Sequence, residues 1–134
     1  MRKLATALVA AGLFFGGMGV AVADSWRDLK MTTTGASFDG SYMWEPKLKE
    51  HGGFRVKGYL ADVEGDDGHN VYIRARVEGY SWVEVRGTQR RAVPINEVFY
   101  DGAALVTKYA EIQVCRDRGA LRPDNCSRLR KFRR

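Results

Sequence analysis

Two strongly alternating segments, a C-terminal cysteine pair and the absence of helical periodicity after residue 23 predict an all-β fold. The expected architecture is a small antiparallel β-sandwich or flattened barrel of five to seven strands, preceded by a cleaved signal peptide. Of 134 residues, 45% are hydrophobic and 11% aromatic, enough to anchor a core and to argue against disorder. One domain is expected at this length.

The chain opens with an address. Arg2 and Lys3 form a positive n-region, Leu4 to Val22 is an uncharged apolar stretch, and Ala21-Val22-Ala23 gives the small-x-small pattern of a cleavage site. A transmembrane anchor is the rival reading, since 19 uncharged residues approach the ~20 that span a bilayer. Gly16, Gly17 and Gly19 weaken that helix, and no basic cluster stops it. Residues 1–23 therefore read as a secretory signal and 24–127 as the β-domain.

Strand signals follow in order. Ala36, Phe38, Gly40, Tyr42 and Trp44 alternate with polar residues, although the glycines make this a poor strand. Glu45 to Gly53 reads as a connection. Phe54, Val56, Gly58 and Leu60 alternate, as do Val71, Ile73, Ala75 and Val77, with the period of two of half-buried strands. The Glu64–Asn70 segment between them has a length that suits a hairpin. Ser81 to Arg86 is a further strand, Gly87 to Pro94 a loop, and Ala103 to Thr107 a short strand. In Tyr109–Cys115, Ala110, Ile112 and Val114 face in while Glu111 and Gln113 face out.

The net charge of +6 is uneven. Residues 24–114 hold 12 basic and 14 acidic residues, whereas 115–134 hold 8 basic and 2 acidic. Residues 128–134 are expected to form a basic C-terminal tail beyond the last strand. Such a tail suits an anionic cell envelope, although spare charge on a solvated terminus explains it more simply. No nucleic-acid recognition motif is present. If the hairpin forms, Arg55, Lys57 and Tyr59 lie beside Tyr72, Arg74 and Arg76 on one outer face, where arginines and aromatic rings bind polyanions or sugars. The simpler reading is a wet sheet face.

Chemistry is sparse. His51 and His69 lack partners at metal-ligand spacing, and Asp66-Asp67-Gly68-His69 lacks the alternating ligands of a calcium loop. No serine lies in a nucleophile elbow and no glycine loop cradles phosphate. No enzyme, metal or cofactor is expected. Cys115 and Cys126 enclose ten residues including Gly119 and Pro123, and in an exported protein they should pair as a structural disulfide.

The signal peptide, the Asp67–Val71 turn, and Ile112–Gly119 with Asp124–Ser127 resemble a group of small exported actinobacterial proteins, over about residues 54–127. The resemblance implies an extracellular β-sandwich and no known activity. The leading functional expectation is an extracellular binding module, its partner an anionic envelope or an extracellular protein. The alternative is an inhibitor of extracellular serine proteases, with Arg118 or Arg122 presented by the disulfide-braced loop 115–126.

Overall fold

The computed structural model describes residues 25–134, so the expected signal peptide lies outside the described residues. Among them, nine strands form two antiparallel sheets. The first sheet takes β1 (Arg27–Thr33), β2 (Ala36–Trp44), β3 (Phe54–Asp62) and β6 (Ala92–Phe99), in the order β1-β2-β3-β6. The second takes β4 (Asn70–Val77), β5 (Val83–Arg86), β7 (Tyr109–Asp117), β8 (Asn125–Cys126) and β9 (Arg130–Arg133). Its order is β5-β4-β7-β8, with β9 pairing farther along β7. Among the described residues no helix is long and apolar enough to cross a membrane.

The alternating residues meet between the sheets. Phe38, Phe54, Val56 and Leu60 from one sheet and Val71, Ile73, Ile112 and Val114 from the other are almost wholly buried in one cluster. Burying a side chain of this size contributes ~1.5–3 kcal/mol, which sets the register. The glycines that weaken β2 on propensity have a packing role: Gly40 faces Gly58, and a Cβ on Gly58 would lie 2.9 Å from Phe38 Cζ and 2.4 Å from the Asp39 carbonyl oxygen. Side chains there would drive the strands apart.

Several expectations need correction. β3 and β4 do not form a hairpin; β3 pairs with β2 and β6, and β4 with β5 and β7. Alternation says which face is apolar but not which strand is adjacent, and the 63–69 connection crosses from one sheet to the other. Residues 92–99 are a strand despite Pro94, because β6 is an edge strand whose proline leaves no central ladder donor missing. Residues 103–107 are turn and bend, not a strand.

Residues 128–134 are not a free tail. β9 extends the second sheet, and Phe132 packs 4.3 Å from Tyr42 and 5.3 Å from Phe54 between ring centroids. Arg130 donates to the Lys30 carbonyl, tying β9 to β1 across the open side of the sandwich. Between β8 and β9, Ser127 keeps the ladder satisfied: its N–H donates to Val114 O and its Oγ accepts from Val114 N–H.

Candidate functional site

The outer face of the second sheet is a closed array. The Tyr72 hydroxyl donates to Asp124 Oδ2 at 2.6 Å, and the Arg86 guanidinium lies over the Tyr72 ring. Burial first, then this carboxylate, pushes the phenol pKa well above its usual range. Arg74 donates to Gln113 Oε1 at 2.7 Å, and Arg76 pairs with Glu111 at 3.2 Å. Both guanidinium carbons sit 4.6 Å from the Trp82 ring. Glu111 and Gln113, expected to face water, are consequently buried.

Arg55 and Tyr59 are not on this face. They stand on β3, in the other sheet, and the structure does not bring them together with Tyr72, Arg74 and Arg76. Arg55 is engaged locally, donating to Glu45 and, at 2.7 Å, to Asn96 Oδ1. Burial raises the Glu45 pKa, but the Arg55 bond and charge, with Lys49, outweigh it, and the carboxyl falls below its ordinary value. Tyr59 is exposed, two residues from Lys57, and among the described residues carries no comparable network.

The end of the sandwich formed by the 63–69, 87–91 and 118–124 loops is tightly paired. Cys115 and Cys126 form a disulfide directly across β7 and β8. Asp124 Oδ1 accepts from Arg118 N–H, Asp117 Oδ1 accepts from Gly119 N–H, and Arg118 Nη1 donates to Asn125 at 3.0 Å. Arg86, with the Gly119 N–H, lowers the Asp117 pKa. Arg118 is therefore a brace of the loop, whereas Leu121, 99% exposed, and Arg122 stand free at its apex. In the acidic turn, Arg116 reaches Glu64 at 2.8 Å and Asp67 at 3.1 Å. A guanidinium thus balances the acidic turn.

The opposite end carries features the sequence reading passed over. Leu48 is 103% exposed in the 45–53 loop and Leu105 is 88% exposed in the 100–108 loop, where Tyr100 is half exposed. The two loops are fixed to each other: Thr107 N–H donates to His51 O at 2.7 Å, and His51 stacks on Tyr100 at 5.6 Å. Arg134 clamps them from β9, donating to the carbonyls of Glu45 and Gly52. The signal in the sequence is Lys47-Leu48-Lys49, an apolar residue set between two cations in a segment read only as a connection.

Among the basic C-terminal residues, Arg130 lies over Phe132 and Arg133 over Tyr109, so much of that charge is engaged by the fold. A shallow cleft of about 310 Å³ lies between Lys30–Thr32 and Ser127–Arg130. Comparison with protein families, with curated proteins and with solved structures finds no match.

Proposed function

We propose that this chain is an exported, non-enzymatic β-sandwich that binds its partner through loops rather than through a sheet face. One observation carries the reading: the arginines of both faces are engaged by Gln113, Glu111, Trp82 and Glu45, whereas Leu48 and Leu105 project fully into solvent. Desolvating a paired arginine to bind a ligand costs the pair it already has; covering an exposed leucine is favourable from the start. The n-region, the apolar stretch, Ala21–Ala23 and the disulfide support export, as does the resemblance to small exported proteins.

The test is retention of residues 24–134 on the producing cell's envelope fraction. Leu48→Ser with Leu105→Ser should weaken retention ~10-fold or more, from two lost leucine burials. Arg74→Gln with Arg76→Gln should change it little. The reverse pattern would overturn the reading.

The fastening of the 118–124 loop favours protease inhibition as a second reading, with a changed contact residue. Arg118 is occupied by Asn125, and Arg122 precedes Pro123, whose ring and missing N–H suit neither cleavage nor main-chain docking. Leu121 is the residue such a loop would offer, so a serine protease with an apolar primary pocket should be inhibited and a trypsin-like enzyme should not. Inhibition of the trypsin-like enzyme alone would remove this version.

A further inference from the structure

We propose that the end of the sandwich carrying Leu48 and Leu105 seats on an anionic lipid surface, the two leucines entering the boundary between headgroups and acyl chains. The inference rests on the loop-binding reading and names its partner.

The arrangement of charge is the first support. Four acidic groups at this end are engaged within the fold. Glu45 is buried against Arg55 and Lys49, and Glu50 lies 3.9 Å from Arg55. Glu78 accepts from the N–H groups of Lys108 and Tyr109, and Asp101 accepts from Ala103 N–H. Among the described residues Lys47 and Lys108, in contrast, make no ion pair. The end therefore presents Lys47 and Lys108 beside exposed leucines, while these four carboxylates face arginine, lysine or backbone N–H groups. Anionic headgroups complement the first and acyl chains the second.

The second support is the shape of the apolar surface. Leu48 and Leu105 stand on separate loops and are exposed almost as in an extended chain, so they form two wedges rather than a flat patch. A rigid protein partner would need two matched sockets, whereas a fluid interface closes around both. Tyr100 adds a ring with an apolar body and a polar tip, which suits the headgroup level.

The third is preorganisation. Lys49 N–H donates to Pro46 O, closing a turn with Leu48 near its tip, and Gly52 and Gly53 N–H groups donate to Lys49 and Glu50 carbonyls. With the His51–Thr107 bond and the Arg134 clamp, the loops are ordered before they bind, so insertion does not have to fix the backbone.

The experiment is co-sedimentation of residues 24–134 with vesicles of phosphatidylcholine, with and without phosphatidylglycerol, across a salt series. Binding should require phosphatidylglycerol and weaken with salt. Leu48→Ser with Leu105→Ser should reduce it ~10-fold or more. Leu48→Trp with Leu105→Trp should retain it, because tryptophan also partitions to the interface. Lys47→Gln and Lys108→Gln should each cost about fivefold and flatten the salt dependence. All these positions are on the surface, and an unchanged unfolding midpoint checks that the fold is intact. Binding that survives the serine pair overturns the proposal. No vesicle binding, with leucine-dependent retention on the envelope fraction, overturns the lipid partner and leaves the loop-binding reading standing; loss of leucine dependence in both assays overturns both.

Discussion

The two ends of this sandwich use their charged residues differently. At the disulfide end, ion pairs join separate elements: Arg116 bridges Glu64 and Asp67, and Arg86 holds Asp117, while Asp124 accepts from the Arg118 N–H and the Tyr72 hydroxyl. At the other end Glu45 and Glu50 pair locally with Arg55, Glu78 and Asp101 accept from backbone N–H groups, and Lys47, Lys108, Leu48 and Leu105 are left facing water. The core between them is shared, so the difference is not one of fold stability. Both ends hold their loops in place; one exposes Leu121 at a loop apex, the other Leu48 and Leu105 on two loops bonded to each other.

Several substitutions would break or sharpen that contrast. The largest effect is expected from Phe132→Ala, which removes the ring packed on Tyr42 and Phe54 and loosens the strand that carries Arg134 to the leucine end. A loss of ~3 kcal/mol is expected by urea unfolding, the low end for Phe→Ala because the ring is partly exposed. A loss below ~1 kcal/mol would return residues 128–134 to the status of a tail.

Next is the disulfide. Cys115→Ala with Cys126→Ala should cost slightly less than ~3 kcal/mol for a loop of this length, and reduction of the wild type should reproduce it. The leucine-dependent retention should not change, since the bond lies at the other end. If retention falls in parallel, the two ends are not independent.

Glu45→Gln is expected to cost ~2 kcal/mol at neutral pH, as a charged hydrogen bond in a buried setting is lost. Because the folded carboxyl titrates below its ordinary value, the wild-type contribution is present above about pH 4.3 and is lost as pH falls through the folded pKa. The variant should show a shallower acid limb of stability. An identical limb would mean that Glu45 is not the group that titrates.

The smallest effect belongs to Tyr72→Phe, ~1 kcal/mol for one hydrogen bond to Asp124. The folded phenol pKa is raised, so its contribution is complete below about pH 10 and lost as pH rises further. The variant should lack that part of the alkaline decline. Its retention on the envelope should match wild type, in contrast to any change at Leu48.

Much of the architecture is legible in residue order. The alternation in β3 and β4 identifies the inward set Phe54, Val56, Leu60 and Val71, Ile73, Ala75 correctly, because one side of each strand must leave water. The cysteine pairing follows from there being two thiols with a reversing segment between. β9 is not legible, since Arg130-Lys131-Phe132-Arg133 has a single apolar residue and reads as charge until β7 offers it an edge. The leucine end is missed for a similar reason: one Leu between two lysines has no period.

The sequence by itself therefore determined the all-β class, the inward faces and the disulfide, all of which depend on local alternation or on there being one possible partner. Tertiary structure alone decided strand neighbours, which split Arg55 and Tyr59 from Tyr72, Arg74 and Arg76 and joined the loops that carry Leu48 and Leu105. Strand pairing is a contest among all edges of similar pattern, resolved by packing across the whole core, and residue order along one strand does not contain that information.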